Sequence, residues 1–145
     1  MNVKGFTTIA AAVAALAFAA TSAEAQGFQV IAHPGVAESE ISAAELSKVF
    51  LKKATKLESG VAVKPVDQPP ASKTRDAFSK AVHGRGASQI ESYWQQQIFA
   101  GKDVPPDTKP SDADVIAYVS STPGAIGYVS AGAAPAGVKV IKVGA

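Results

Sequence analysis

The sequence contains no cysteine, and this absence excludes several kinds of site at once. A chain without cysteine has no disulfide framework, no thiolate metal site and no cysteine nucleophile. An excess of one charge is also lacking, since 14 Lys and Arg stand against 12 Asp and Glu. This balance argues against a nucleic-acid-binding protein, which usually carries a concentrated basic face. A length of 145 residues allows one domain and excludes a large multidomain enzyme.

Long apolar runs are absent except for one near the N-terminus, from Ile9 to Ala20. Lys4 precedes this run, and Ala23 to Ala25 form a small-x-small cleavage site. A helix over the run would rise about 18 Å, well short of the roughly 30 Å hydrocarbon core of a membrane. We therefore predict that residues 1–25 are a cleaved secretory signal, with an uncleaved interfacial anchor as the alternative. Residues 26–145 would then form one exported domain, periplasmic or secreted, without a membrane span.

The exported part alternates between strand patterns and helix patterns. Short apolar runs rich in β-forming residues predict four strands, and serines placed before apolar residues at helical spacing predict four helices. The predicted strands are Phe28 to Ala32, Val61 to Val66, Ala125 to Val129 and Val138 to Val143, and the helices are predicted to start at Ser42, Ser72, Ser88 and Ser111. The proline-rich segment from Lys102 to Pro110 predicts a surface loop. This order predicts an α/β fold with helices packed on a sheet.

The stretch from Val63 to Phe78 is the candidate functional site, because it leads from a strand through a loop into a helix start. Such a connection places free backbone N–H groups beyond the carboxyl end of the strand. Ser72 and Thr74 add hydroxyl groups there. Lys73 and Arg75 place cations at the positive end of the helix dipole, where a cation is locally unfavourable. A bound anion would remove this conflict.

Another interpretation of the same cations is that they are solvated surface residues, partly offset by Asp76. Asp67 and Gln68 lie at the predicted strand tip and are candidates for the same ligand site, although Asp67 is also a common turn-forming residue. The loop has too little glycine for a Walker phosphate loop. Pro69 and Pro70 stiffen it and remove two N–H donors.

Catalytic and metal sites have little support in the sequence. His33 and His83 lie far apart in unrelated contexts, so they do not predict a metal pair, and no nucleophile elbow is present. We therefore predict a protein that is not an enzyme. Tyr93 and Trp94 could form a binding platform. However, Trp94 belongs to an apolar helical row that includes Ile98, which favours core packing.

Four segments of the chain carry a family resemblance. They are VIAHP at Val30 to Pro34, AELSKVFLKK at Ala44 to Lys53, the candidate site VKPVDQPPASKTRDAF, and STPGAIGYV at Ser121 to Val129. Together they resemble the phosphate ABC transporter substrate-binding family. The resemblance implies a single lobe of the type II periplasmic-binding-protein fold, with a small mixed sheet flanked by helices. It also implies a non-enzymatic protein that binds phosphate or a similar oxyanion without a cofactor or metal.

In that family, the loop before the second helix reads like Arg-x-Asp-Gly-Ser-Gly-Thr-Arg, and its Ser, Gly and Thr hold phosphate through hydroxyl and N–H groups. Ser72, Thr74 and Arg75 match this motif by position. The departures are Gln68 for Arg, Pro70 for Asp and Lys73 for Gly. The resemblance therefore implies an anion site at Ser72 to Arg75 that lacks the charged groups selecting phosphate, with Lys73 as a replacement positive charge.

Members of that family have two lobes that close on the ligand, and this chain resembles one of them. An anion held by one lobe faces water, where the attraction between charges is weak. High-affinity binding would then need a homodimer or another protein, such as an ABC transporter or another periplasmic partner. The alternative function is a periplasmic protein–protein interaction module that kept the lobe fold.

Overall fold

The computed structural model describes residues 27–144, so the predicted signal segment lies outside the described residues. The described chain forms six strands and four helices. The strands are β1 (Phe28–Ala32), β2 (Glu40–Ser42), β3 (Lys64–Asp67), β4 (Asp107–Thr108), β5 (Ala125–Ser130) and β6 (Lys139–Gly144), and the helices are α1 (Ala43–Phe50), α2 (Lys73–His83), α3 (Ala87–Phe99) and α4 (Asp112–Ser121). Within this range, none of the helices combines the length and the apolar character needed to cross a membrane.

The six strands form one mixed sheet in the order β2-β6-β1-β5-β3-β4. The central strand β1 runs antiparallel to both of its neighbours, β5 and β6. The outer pairs are parallel: β2 with β6, β3 with β5, and β4 with β3. The predicted α/β fold, with a mixed sheet flanked by helices, is therefore confirmed.

Both faces of the sheet are covered, and β1 shows how. Phe28 and Val30 pack in the larger apolar cluster, which includes residues of α1 and α2. Ile31, which points the other way, packs in a second cluster that includes residues of α4. In the larger cluster, Phe78 of α2 stacks on Tyr128 of β5, with ring centroids 4.0 Å apart. The continuous apolar run of β1 is thus explained by burial on both sides.

Two glycines, one just before β5 and one within it, are required by the close approach of other parts of the chain. Gly124 has a φ angle of +79°, and a Cβ atom there would overlap the carbonyl oxygen of Ala62. At Gly127, a Cβ atom would lie 2.7 Å from Cγ1 of Val66 in the adjacent strand. The first glycine permits the turn into β5, and the second lets the β3 side chain lie against the backbone of β5.

Strand boundaries differ from the prediction around Pro65. The strand predicted from Val61 to Val66 is observed at Lys64–Asp67, with Pro65 inside it. The N–H of Lys64 donates to Gly124 on the β5 side, so the nitrogen of Pro65 faces the β4 side, where pairing begins one residue later. No ladder hydrogen bond is lost there. Strands β2 and β4 were not predicted, because three and two residues are too few to show a pattern. β4 lies inside the predicted loop from Lys102 to Pro110.

Three of the four predicted helix starts are confirmed as N-caps. Each hydroxyl accepts a hydrogen bond from the N–H three residues later, at 3.2 Å for Ser42, 3.1 Å for Ser72 and 3.2 Å for Ser111. The prediction at Ser88 is wrong, since α3 begins at Ala87 after Gly86. The reason is a cap from another helix, because the carboxylate of Asp76 in α2 accepts from the N–H of Ala87 at 3.0 Å.

The apolar row of α3 is buried only in its first part. Ile90 and Trp94 are buried, which confirms core packing for Trp94. Ile98 was expected to continue this row, yet it is 52% exposed, and Phe99 is 96% exposed. Among the helices of the described chain, α3 packs against α2, and the side chains of Ile98 and Phe99 in its last turn are not covered. The end of α3 therefore presents apolar side chains to solvent.

Candidate functional site

The residues predicted for the anion site come together where β3 ends and α2 begins. Asp67 is the last residue of β3, and Gln68 follows it. Both are buried, and so is Arg75 in the first turn of α2. Lys73 is exposed and Thr74 is half-buried. The site therefore has an inner side made of buried polar groups and an outer side open to solvent.

Asp67 is the centre of the inner side. Its Oδ1 accepts hydrogen bonds from the hydroxyl of Tyr128 and, at 2.9 Å, from the N–H of Gln68. The Nε of Arg75 lies 3.7 Å from the same oxygen. Burial, together with the neighbouring Asp67 carboxylate, raises the pKa of Tyr128 above its ordinary value. The phenol therefore stays protonated and serves as a permanent donor to Asp67.

Gln68 occupies the position of the family's arginine, and its side chain is used entirely within the protein. Its Nε2 donates to the carbonyl of Tyr128 at 3.0 Å and to Oδ1 of Asp112 at 3.2 Å. Its Oε1 accepts from the hydroxyl of Ser72 at 2.6 Å. Since both ends of the amide have protein partners, Gln68 joins β3, β5 and the starts of α2 and α4 instead of facing a ligand.

Arg75 also points inward. Its Nη1 donates to the carbonyl of Gln68 at 2.9 Å, and its Nε faces Asp67. The interpretation of the two helix-start cations as solvated surface residues is therefore wrong for Arg75, although it describes the exposed Lys73. The carboxylate at the tip of β3 explains the difference, because a buried guanidinium needs such a partner to offset the loss of water.

The outer side keeps a smaller set of groups for a ligand. The hydroxyl of Ser72 caps the N–H of Arg75 and donates to Gln68, so it is already engaged. The N–H groups of Lys73 and Thr74 belong to the first helical turn, where no intrahelical acceptor exists. With the Thr74 hydroxyl and the Lys73 ammonium, they form a donor set on the solvent side of α2.

Three functional-site residues were missed by the sequence analysis: Tyr128, Asp112 and Ser130. Asp112 accepts from the hydroxyl of Ser130 at 2.5 Å and from its N–H at 3.2 Å, and it also binds Gln68. One signal was present, since a tyrosine in an otherwise apolar strand needs a partner for its hydroxyl. An acidic residue is common in the first turn of a helix, so the position of Asp112 in α4 gave no indication of its contacts with Gln68 and Ser130.

Neither histidine belongs to this site. His33 accepts from the N–H of Gly35 through Nδ1 at 3.0 Å, which is a local turn contact. His83 lies at the other end of α2, where its Nδ1 is 2.7 Å from the hydroxyl of Ser47. Burial, with the charges of Arg75 and Arg85, lowers the pKa of His83 to about 4. Among residues 27–144, no group of three or more His, Asp and Glu side chains is placed to hold a metal ion.

Several solved structures that are similar to this chain are described as phosphate-transport or phosphate-binding proteins. A protein described as a phosphate ABC transporter substrate-binding protein with bound phosphate, from Clostridium perfringens, matches with a TM-score of 0.63 and 21% identity over 81% of this chain. An ABC-type phosphate transport receptor from Vibrio cholerae matches with a TM-score of 0.58 and 14% identity over 81% of the chain. PstS from Borrelia burgdorferi matches with a TM-score of 0.58 and 17% identity over 82% of the chain.

This chain has the fold of one lobe. It covers 44%, 46% and 47% of the three solved chains, which is less than half of each. No protein-family model matches the sequence, and no curated protein matches it. At these identities the likeness establishes the fold, and the ligand has to be argued from the residues of the site.

Proposed function

We propose that this chain is an exported, non-enzymatic protein that binds phosphate or a similar oxyanion at the first turn of α2. The observation that carries the proposal is the donor set of the exposed Lys73 and the half-buried Thr74 at the start of a capped helix, in a fold whose solved examples include one with bound phosphate. Helix N-termini favour anions because their N–H groups and the helix dipole point outward there.

The charges of the site support weak binding. Asp67 offsets the charge of Arg75 inside the protein, so Lys73 is the cation on the outer side. A single exposed ammonium in water gains only about 1 kcal/mol from an ion at contact distance. We therefore propose a dissociation constant in the millimolar range for the isolated chain, and tighter binding when a second copy or an ABC transporter component covers the ligand.

Calorimetric titration of residues 26–145 with phosphate, sulfate and molybdate tests this proposal. We expect measurable binding of at least one anion, weakened several-fold in the variant Lys73→Gln combined with Thr74→Val. Lys102→Gln is the matched control, since it removes an exposed lysine elsewhere. The absence of heat and of any shift in melting temperature at millimolar anion would contradict oxyanion binding.

Export is tested separately. Expression of the full chain in a Gram-negative host should yield a soluble periplasmic protein whose N-terminal residue is Gln26. Recovery of the uncleaved chain in the cytoplasm would contradict it.

A second candidate function, protein–protein interaction, is favoured by the exposed apolar end of α3. Phe99 is 96% exposed, with Ile98 at 52% and Val104 at 57%. Ile98 and Phe99 end α3, and Val104 lies in the loop that follows it. Exposed large apolar side chains grouped along one segment are typical of a contact surface. Pairing of two copies through this end predicts a concentration-dependent dimer in sedimentation experiments, lost in Phe99→Gln. Val140→Gln, which changes an exposed valine of β6, is the control. A monomer at all concentrations would contradict pairing of two copies.

A further inference from the structure

A pocket lies between the start of α2 and α3. Its volume is about 160 Å³, and its lining includes Asp67, Arg75, Glu91 and Trp94. This is close to the size of the cavities that hold benzene in other proteins. The pocket is therefore large enough for a small organic molecule. It is separate from the solvent-facing donor set of Lys73 and Thr74, which does not line it.

The inner wall of this pocket carries a donor that the protein uses incompletely. Arg75 is 6% exposed, and it uses Nη1 for the carbonyl of Gln68 and Nε for Asp67, which leaves Nη2 as a further donor. A guanidinium N–H group only donates, so it favours a carbonyl or carboxylate oxygen on the ligand. The indole Nε1 of Trp94 has no hydrogen-bond partner in residues 27–144, but protein atoms cover it, so Trp94 contributes an apolar ring to the pocket.

The charges of the lining exclude a simple anion as the preferred ligand. Asp67 already pairs with Arg75, while Glu91 adds a negative charge. Within the described residues, Glu91 has no ion pair with a lysine or arginine. The lining therefore has a net charge of −1. A ligand that brings an acceptor for the inner wall should also bring a cationic group for Glu91.

Apart from Thr108, the remaining lining is apolar. Pro70 precedes α2, and Pro105 and Pro106 follow α3, so two loops contribute proline rings to the pocket in addition to the ring of Trp94. An aliphatic group fits between such surfaces without leaving a polar atom unpaired.

From these groups we propose that this pocket binds a small amino-acid zwitterion with an aliphatic side chain. Its carboxylate meets Arg75, its ammonium meets Glu91, and its side chain lies against the prolines and the ring of Trp94. This ligand class differs from the oxyanions proposed for the first turn of α2, and the two sites are independent.

The experiment uses L-valine as the probe, because two simple compounds each lack one of its charged groups. Isovalerate lacks the ammonium, and isobutylamine lacks the carboxylate. Trp94 is the chain's only tryptophan, so its fluorescence reports directly on the pocket. We expect saturable quenching or a spectral shift with L-valine, and at least tenfold weaker binding of both partial analogues. No saturable change with millimolar L-valine, or equal affinity for isovalerate, would overturn the proposal.

One variant locates the binding. Glu91→Gln keeps the shape of a half-buried residue and should weaken L-valine at least fivefold. The same change should not weaken isovalerate, because it removes a negative charge that repels an anion. Unchanged L-valine affinity in Glu91→Gln would overturn the proposal. Phosphate binding at the outer side should be the same in Glu91→Gln and in the parent chain, so failure of either proposal is recognised separately.

Discussion

Helix α2 carries a buried arginine near its start and a half-buried histidine at its end, and the surroundings of the two side chains differ. At its start, Arg75 faces the carboxylate of Asp67 and a backbone carbonyl, so an ionised group is buried with partners. At its end, His83 has the hydroxyl of Ser47 and the edge of the Phe78 ring beside it.

The two ends differ because an arginine and a histidine respond differently to the loss of water. A guanidinium cannot release its proton, so the chain has to supply an acid next to it. An imidazole can become neutral, and burial lowers the pKa of His83 accordingly. At the start of α2, the contribution to stability is therefore expected to depend on the partners of Arg75. At the end of α2, it is expected to depend on pH.

The largest effect is expected from Asp67→Ala, which leaves Arg75 buried without its carboxylate and Tyr128 without an acceptor. Removing one partner of a buried ion pair costs about 3–5 kcal/mol of unfolding free energy. Lys80→Ala is the matched control, because it breaks the Asp76–Lys80 pair, whose exposure to solvent leaves it little contribution to stability. Urea denaturation measures both variants. Equal losses would show that burial of the Arg75 pair has no special importance.

At the other end of α2, stability should depend on the protonation of His83. Its pKa is about 4 in the folded protein, below its ordinary value, so the unfolded chain binds the proton more tightly. The contribution is fully present above about pH 6.5 and is lost as pH falls toward 4, by about 2 kcal/mol after allowance for partial exposure.

Denaturation at several pH values tests this dependence. His83→Gln should flatten the pH profile in that window, and His33→Gln should leave it unchanged, because His33 makes only a local contact. An imidazole that titrates near pH 6.5 by NMR in the folded protein would contradict the burial argument.

The next largest loss of stability is expected when the hydroxyl of Tyr128 is removed. Tyr128→Phe keeps the stacked ring but removes a donor to Asp67, at an expected cost of about 1–3 kcal/mol. Tyr118→Phe is the control, since Tyr118 of α4 is half-buried and its hydroxyl makes no hydrogen bond within the described residues, so the change should cost less than about 0.5 kcal/mol. Thermal or chemical denaturation compares the two, and equal costs would mean that the phenol does not support the carboxylate.

The local parts of this site could be predicted from sequence, and the long-range parts could not. The cap at Ser72 follows from residues three positions apart, and the apolar run of β1 identifies a strand by itself. The bond between Tyr128 and Asp67 joins residues 61 positions apart, and Gln68 reaches Asp112 over 44 positions. No local pattern records such pairs, because they depend on which strands become neighbours in the sheet.

Arg75 illustrates the same limit. From the sequence, a cation in a first helical turn indicated either a bound anion or a solvated side chain. The structure adds a third possibility, an internal acid, which depends on the position of β3 beside the helix start. The anion-site hypothesis is therefore narrowed to Lys73 and Thr74, the two members of the predicted set that face solvent.

A smaller effect is expected from Ser72→Ala, and comparison with Ser111→Ala distinguishes the contribution of the N-cap from that of the hydrogen bond to Gln68. Ser72→Ala removes the N-cap and the donor to Oε1 of Gln68, while Ser111→Ala removes an N-cap at the start of α4. Loss of a cap costs about 1 kcal/mol, and the additional hydrogen bond should make Ser72→Ala worse by about 0.5–1.5 kcal/mol. Identical unfolding free energies would show that the Gln68 contact contributes nothing to stability.

The smallest effect on stability is expected at Lys73, and it defines the outer side of the site. Its ammonium lies exposed at the positive end of α2, so Lys73→Gln should change the unfolding free energy by less than about 0.5 kcal/mol, with a slight gain from the relieved dipole. The same change should weaken phosphate binding several-fold. Stability is measured by denaturation and affinity by calorimetry on one preparation. If Lys73→Gln were strongly destabilising, Lys73 would belong to the inner network, and the division of the helix start into two sides would be wrong.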